Sequence, residues 1–226
     1  FKPFDHQTKT ASFLTLHKRA FCFNDPGTGK TSSVIWAADY LMTRGEVRRV
    51  LILCPLSIMQ SAWMGDISNS IIHRSAVVAH HPKAASRIEM IQQDYEFVIC
   101  NYDGLNLIAQ EIVNDGRFDL IIVDEAHKMS AATRDRKTLA YQLGEQLSQM
   151  TDHYLLMTAT PHKGDPDNFR LFLDLLEPGF FATNDMVQQS IDSKDNPLFI
   201  RRVKEDLKDF EGKPLFLPRY VKTLAF

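Results

Sequence analysis

A glycine-rich segment near the start of the chain has the residue types of a phosphate-binding loop. Residues 24–31 have the sequence NDPGTGKT and lie between a short apolar run and a stretch with helical spacing. Glycines allow such a loop to curl, so that its backbone N–H groups point at the β- and γ-phosphates of a nucleotide. Lys30 would add a point charge, and the Thr31 hydroxyl would be a ligand for Mg²⁺. Asn24 stands where the usual pattern has glycine, and a glycine-rich turn without a ligand is the alternative interpretation.

Two adjacent carboxylates follow another apolar run. Residues 120–123 lead into Asp124, Glu125, Ala126 and His127. Ligands of open α/β sheets bind at the carboxyl ends of the strands, which is where this pair would lie. Asp124 could hold Mg²⁺, and Glu125 could polarise the water that attacks a phosphoryl group. Because one reaction needs both motifs and they occur in order, they favour nucleotide hydrolysis over a solvated acidic turn.

A third apolar run, residues 154–157, ends in small hydroxyl residues at Thr158 and Thr160. A hydroxyl can hydrogen-bond to a carboxylate or a histidine without steric demand. The segment is therefore suited to a relay from the γ-phosphate region to another surface. An ordinary strand end is an equally weighted alternative.

Six short apolar runs supply the strands that would position these motifs. They lack strict alternation, which is typical of strands buried on both faces, as in a parallel sheet covered by helices. Helix-compatible stretches such as 32–43 and 138–150 lie between them. The alternation predicts a doubly wound α/β domain over residues 1–165. The runs are 20–23, 50–54, 76–79, 97–100, 120–123 and 154–157.

The pattern changes after residue 165, and we predict a helical appendage packed on the α/β lobe over residues 166–214. Asp165 and Pro166 are typical of an N-cap and a first helical turn, and the helix that they begin would stop at Pro178 and Gly179. Beyond it we expect a loop over 188–196, a short helix over 201–207 and the start of a linker over 215–226.

The composition is that of a folded chain without a strong charge preference. Of 226 residues, 44% are apolar and 24% are charged, which excludes disordered and fibrous classes. The longest apolar runs are far shorter than the roughly 20 residues of a bilayer span, so we expect no membrane contact. A net charge of −2 means that any nucleic-acid contact needs a local basic face. No signal peptide is visible and the three cysteines lie in apolar runs, which predicts a reducing, cytoplasmic location.

The three motifs in this order resemble motifs I, II and III of the superfamily two helicases. Residues 4–7 are similar to the upstream Gln motif of that group, with Gln7 in the place that reads adenine. Further segments resemble the Swi/Snf-type branch, nearest to its bacterial members of the RNA-polymerase-associated and phage-defence kinds. These segments are 54–57 followed by Trp63 as motif Ia, 101–102 with Leu105 as motif Ib, 161–165 and 201–206.

This resemblance implies a RecA-like P-loop fold and a two-lobed motor. ATP and Mg²⁺ would bind between two RecA-like lobes, and duplex DNA would lie along one face, held through its backbone. The chain would be the first lobe, and the second lobe of the same polypeptide would be its partner. The cell would be bacterial or a phage-infected host.

The resemblance also assigns roles to residues. Catalysis would fall to Lys30, Asp124 and Glu125, and the metal to Thr31 and Asp124. The nucleotide would be bound by Gln7, Gly27, Thr28, Gly29, Lys30, Thr31 and Ser32. Coupling would involve His127, Thr158 and Thr160, and DNA would be contacted by Pro55, Ser57, Asn101 and Tyr102.

Several residues have two interpretations. Arg201, Arg202 and Lys204 either touch a phosphate of DNA or ATP or pair with neighbouring acids on a solvated helix. Trp63 and Tyr102 either stack on bases or pack in the core, and the core is favoured.

Two other functions compete with a DNA translocase. One is a P-loop ATPase or kinase that never touches nucleic acid, and the other is a nucleotide-gated scaffold without translocation. Intact Lys30, Asp124 and Glu125 oppose a scaffold that does not hydrolyse. We also predict very slow hydrolysis by the isolated chain, because the family's catalytic arginines come from the second lobe.

Overall fold

Seven parallel strands form one sheet in this computed structural model, which describes residues 2–129, 138–159, 166–181, 183–192 and 196–217. The strand order is β3-β4-β2-β5-β6-β1-β7. The strands are β1 (Arg19–Cys22), β2 (Val50–Cys54), β3 (Ala76–Val78), β4 (Phe97–Asn101), β5 (Leu120–Asp124), β6 (His153–Met157) and β7 (Phe199–Ile200). Every residue of β2, β4, β5 and β6 is buried, as the continuous apolar runs predicted. All six predicted strands and the doubly wound α/β class are confirmed.

Helices cover both faces of the sheet. They are α1 (Asp5–Leu16), α2 (Lys30–Thr43), α3 (Leu56–Ile58), α4 (Gly65–Ser70), α5 (Ala84–Gln92), α6 (Leu105–Asp115), α7 (Leu139–Met150), α8 (Pro166–Leu176) and α9 (Asn184–Asp192). A π-helix, Met59–Met64, joins α3 to α4, and short 3₁₀ turns occupy Tyr102–Gly104, Ala126–Met129 and Lys204–Asp206. No helix within the described ranges is long and apolar enough to cross a bilayer.

Alternate residues of each central strand point to opposite layers. In β5, Ile121 and Val123 pack in the layer of α5 to α8, whereas Leu120 and Ile122 pack in the layer of α1, α2 and the π-helix. Burial on both faces fixes the strand register, because a shift by one residue would exchange the two sets. The sheet therefore forms a rigid base for the loops at its carboxyl edge.

Arg19, the first residue of β1, ties two helix ends together. Its guanidinium donates hydrogen bonds to the carbonyl oxygens of Ser148 (3.1 Å) and Thr151 (2.9 Å) at the end of α7. It also donates to those of Leu175 (2.8 Å) and Leu176 (2.6 Å) at the end of α8. These carbonyls have no partner within their own helices, so one arginine satisfies several of them.

The segment 166–214 is helical only in part. It supplies β7, which pairs in parallel with β1, so it is built into the same sheet. The loop predicted over 188–196 is wrong as far as residue 192, because residues 188–192 form the C-terminal part of α9, a helix anchored by the buried Val187. The helix predicted over 201–207 is restricted to Lys204–Asp206. Backbone bonds to the end of β1 keep residues 198–202 extended instead.

Several predictions fall outside the described residues. Thr160, the segment 161–165 and the linker residues from 218 onward are among them. Within the described part, the Leu215 N–H donates to the Leu207 carbonyl at 2.9 Å, so the chain turns back on itself there.

Candidate nucleotide site

Three candidate segments meet at the carboxyl edge of the sheet. Strands β5, β6 and β1 are consecutive neighbours, and all three run in the same direction. The acidic pair therefore follows β5, Thr158 follows β6, and the glycine-rich loop follows β1. Topology alone brings together residues that are more than 100 positions apart in the chain.

The glycine-rich loop has the backbone that a phosphate cradle requires. Gly27 and Gly29 have φ angles of 75° and 78°, a region that other residues rarely adopt. Helix α2 begins at Lys30, so its free N–H groups and the positive end of its dipole face the loop. The Lys30 ammonium donates to the carbonyl oxygens of Asn24 (2.7 Å) and Asp25 (3.2 Å). The cradle fits nucleotide phosphates.

Two hydroxyl groups of this region are already hydrogen-bonded within the protein. The Thr28 hydroxyl donates to the Asp25 carbonyl at 2.8 Å, and the Ser32 hydroxyl donates to Asp66 of α4 at 3.1 Å. Thr28 and Ser32 can therefore offer a phosphate their backbone N–H groups. Thr31 is half-buried in the first turn of α2.

Helix α1 braces the loop from the side. A ring nitrogen of His6 lies 3.0 Å from the Thr28 carbonyl oxygen, and burial lowers the pKa of His6. The Gln7 side chain accepts a hydrogen bond from the Phe4 N–H at 2.9 Å, and its amide lies so close to Gly29 that a Cβ there would collide with it. Gln7 therefore lies beside the cradle, and its contact with adenine stays a prediction.

Asn24 has a partner that explains its departure from the usual glycine. It is buried, and its amide donates to the hydroxyl of Thr10 in α1 at 3.2 Å. The Thr10 hydroxyl in turn donates to the His6 carbonyl at 2.8 Å. A polar residue at position 24 thus fastens the loop to α1. In the sequence, the contact between Asn24 and Thr10 was indicated only by the asparagine at a position that usually holds glycine.

Asp124 is a buried carboxylate held by two donors. Its two oxygens accept hydrogen bonds from the indole N–H of Trp63 and from the Glu125 backbone N–H, each at 2.9 Å. Burial raises the pKa of Asp124 to about 6, and the charge of Lys30 opposes this rise. With the Thr31 hydroxyl it offers hard oxygen ligands of the kind that Mg²⁺ prefers. These residues fit a magnesium–nucleotide complex.

Trp63 is a core residue with a role that the sequence did not reveal. Its side chain is fully buried in the π-helix, so the core interpretation is confirmed over stacking on bases. π-Helices often occur at functional sites. Here the π-helix presents an indole N–H to a carboxylate 61 residues away.

Glu125 connects the acidic motif to β6. Its φ of 54° lies in the left-handed region, the one such value for a residue other than glycine in the described chain. Its Oε2 accepts a hydrogen bond from the Thr158 hydroxyl at 3.1 Å and lies 3.1 Å from Nδ1 of His127. That nitrogen is 2.9 Å from the Thr158 hydroxyl oxygen. The three side chains therefore form a closed triangle, as a relay would require.

The four candidate DNA contacts are not equally accessible. Ser57 is exposed, but Pro55 and Asn101 are buried, and Asn101 faces Arg87 through a 3.4 Å contact. The half-buried Tyr102 donates its hydroxyl to the Asp124 carbonyl at 2.5 Å. Pro55 and Asn101 are buried because they lie at the carboxyl ends of β2 and β4, and contact of all four residues with DNA stays a prediction.

A cavity of about 350 Å³ lies beside these residues. It is lined by Pro55, Leu56, Ser57, Tyr102, Asp103 and Lys128. Lys128 is the cation of this group, and it belongs to the 3₁₀ turn that follows the acidic motif. Contact with DNA at this cavity stays a prediction.

The model of the SNF2-related domain matches residues 6–212 of the chain. The chain belongs to this family. The SNF2-related domain is 26% identical over 222 residues to the uncharacterized ATP-dependent helicase YqhH of Bacillus subtilis (strain 168), covering 97% of this chain and 37% of that protein. It is 28% identical over 175 residues to the RNA polymerase-associated protein RapA of Photobacterium profundum, covering 74% of this chain and 17% of that protein.

A solved structure confirms the RecA-like fold of this SNF2-related domain. The Sulfolobus solfataricus SWI2/SNF2 ATPase core in complex with dsDNA superposes with a TM-score of 0.71 at 21% identity. The match covers 91% of this chain and 45% of that one. The chain therefore spans less than half the length of each of these proteins.

Proposed function

We propose that this SNF2-related domain is the nucleotide-binding lobe of an ATP-dependent DNA translocase, which couples ATP hydrolysis to movement along duplex DNA. The observation that carries the proposal is the convergence of Lys30, Asp124, Glu125 and Thr158 at one edge of the sheet. A plain phosphate-binding loop would not need a link from its catalytic carboxylate to a neighbouring strand end.

The residues divide the chemistry of hydrolysis between them. The loop N–H groups and Lys30 would bind the β- and γ-phosphates, which fixes the nucleotide in position. Thr31 and Asp124 would hold Mg²⁺, which neutralises charge that develops on the phosphoryl oxygens. Glu125 would orient the attacking water, because its carboxylate is held in place by Thr158 and His127. Since buried Asp124 has a pKa of about 6, it is ionised above that pH.

The triangle of Glu125, His127 and Thr158 would carry the coupling. A change at the γ-phosphate that moved Glu125 would alter its hydrogen bond to Thr158 and so reach the segment that follows β6. Thr160 would continue this path. Such a two-state link between hydrolysis and a distant surface is what a motor needs in addition to a catalytic site.

Duplex DNA and a second RecA-like lobe are the proposed partners. The relatives support this, since one is named an ATP-dependent helicase and the solved SWI2/SNF2 core is in complex with dsDNA. A motor that moves without regard to sequence would hold the phosphate backbone rather than the bases. With a net charge of −2, contacts would concentrate on a local surface such as that near Ser57 and Lys128.

ATPase assays on the full-length protein test the proposal. Steady-state turnover would be compared with duplex DNA, single-stranded DNA, RNA and no polymer, and movement would be followed by displacement of a third strand from a triplex. We expect the highest turnover with duplex DNA and displacement only with hydrolysable ATP. Equal turnover with and without every polymer would instead favour a P-loop ATPase that never touches nucleic acid, and undetectable hydrolysis would favour the nucleotide-gated scaffold.

A further inference from the structure

The chain segment after β7 runs directly beside the phosphate-binding loop. The Phe23 N–H donates to the Ile200 carbonyl at 3.0 Å, and the Asp25 N–H donates to the Arg202 carbonyl at 2.9 Å. The Asp25 carboxylate then accepts a hydrogen bond from the Lys204 N–H at 3.1 Å. Residues about 180 positions beyond the loop are therefore fixed to its backbone.

The side chain of Lys204 reaches the glycine turn of the loop. A Cβ atom on Gly27 would lie 3.8 Å from the Lys204 ammonium nitrogen and 3.9 Å from the adjacent carbon. The ammonium lies 5.0 Å from the ring centre of Phe216, which holds it by a cation–π contact. In the described part of the chain, no carboxylate lies at ion-pair distance from this ammonium.

Positive charge gathers around the loop from two directions. Lys30 approaches from within it, and Lys204 approaches from the segment after β7. Arg202, whose carbonyl accepts the Asp25 N–H at 2.9 Å, is a third cation of the segment after β7. The Asp25 carboxylate lies in the same loop, but the positive end of the α2 dipole also faces it, so an anion bound at the glycine turn would be stabilised by the dipole and by the two ammonium groups.

We propose that Lys204 is a second phosphate-binding cation of the nucleotide site, supplied in cis by the segment after β7. This inference rests on the proposed function, because it takes the nucleotide to bind at the loop. The Asp25 carboxylate positions the Lys204 backbone, and the Phe216 ring positions its ammonium. The sequence left Lys204 with two interpretations, a phosphate contact or pairing with nearby acids, and it could not place Lys204 beside Gly27, which is distant in the chain.

The affinity of the full-length protein for Mg-ATP tests the inference. Titration with a fluorescent ATP analogue would compare the wild type with Lys204→Ala, Lys204→Arg, Lys30→Ala and the control Lys213→Ala. Lys213 is exposed and pairs with Glu211. We expect Lys204→Ala to weaken Mg-ATP binding about tenfold. This value is near the lower end of what a hydrogen bond to a charged group contributes, because the site is partly exposed. Lys204→Arg, which keeps the charge, should stay within about threefold of the wild type.

The outcomes separate the inference from the proposed function. If Lys204→Ala binds Mg-ATP as tightly as Lys213→Ala while Lys30→Ala binds weakly, the role of Lys204 is refuted and the nucleotide site stands. If Lys30→Ala also binds as tightly as the wild type, the proposed nucleotide site itself is refuted.

Discussion

The hydrogen bond from Trp63 to Asp124 predicts a pH-dependent loss of stability in the Trp63→Phe variant. Burial raises the pKa of Asp124 from 3.8 to about 6, and the Trp63 bond opposes this rise by stabilising the carboxylate. A carboxyl group whose pKa is raised in the folded state makes the protein less stable as pH rises through that range. At about 1.4 kcal/mol per pKa unit, the wild type should lose about 3 kcal/mol between about pH 4 and pH 7 from this group.

The Trp63→Phe variant should lose more stability than the wild type, and this additional loss should occur at higher pH. A hydrogen bond to a charged acceptor is worth about 1.5–3 kcal/mol, so its removal should raise the pKa of Asp124 by a further 1–2 units, approximately. The additional destabilisation should therefore develop between about pH 6 and pH 8. The smaller ring also costs packing energy in the buried site of Trp63, but that cost does not depend on pH.

Urea unfolding in EDTA, without nucleotide, measures this effect across about pH 5 to pH 8.5. Trp36→Phe is the matched control, because it makes the same change in a half-buried residue of α2 away from Asp124. We expect the deficit of Trp63→Phe to grow by about 1.5–3 kcal/mol over this range and that of Trp36→Phe to stay constant. A Trp63→Phe deficit that is the same at both ends of the range would refute this account of the carboxylate.

Three further predictions concern coupling, stability and the second lobe. Thr158→Val keeps the shape of the side chain but removes its bonds to Glu125 and His127. It should leave ATP affinity unchanged and lower DNA-stimulated turnover about tenfold, and an unchanged turnover would contradict the relay. Arg19→Ala leaves carbonyls at the ends of α7 and α8 without donors and should lower the unfolding free energy by about 3 kcal/mol. Arg19→Lys should recover little of this stability, because an ammonium cannot reach both helix ends as the guanidinium does. Wild-type stability of Arg19→Lys in urea titrations would refute this explanation. The isolated chain with saturating duplex DNA should turn over ATP about 10³-fold more slowly than the full-length protein, because the arginines that complete the site would come from the proposed second lobe. Comparable rates would show that catalysis is contained in this lobe.

Much of the fold follows from local sequence patterns. Runs such as 120–123 are apolar at every position, and only a strand covered on both faces buries all of its side chains. Strand β7 was missed because it has two residues, and its pairing is decided by the free edge of β1 rather than by its own composition. Residues 188–192 were predicted as a loop because most of them are polar, although they continue α9 beyond the buried Val187.

The candidate site was predictable in its residue types but not in its contacts. Lys30, Asp124 and Glu125 belong to short motifs whose spacing is fixed by one loop each. The contacts of Trp63 and Lys204 join residues that are far apart in the chain, and periodicity carries no information about such pairs. Only the topology of the sheet and the path after β7 bring them together.

Nucleotide binding and turnover of Lys30→Ala and Glu125→Gln in the full-length protein test the central claim most directly. Both quantities would be measured with duplex DNA present. We expect Lys30→Ala to lose at least about tenfold in ATP affinity, because it removes the charge that faces the phosphates. Glu125→Gln should bind ATP like the wild type and hydrolyse it at least about 100-fold more slowly, since the amide keeps the shape but cannot orient the water as a negative group. An equal loss of binding in both variants, or wild-type turnover in Glu125→Gln, would contradict the proposed division between phosphate binding and water activation.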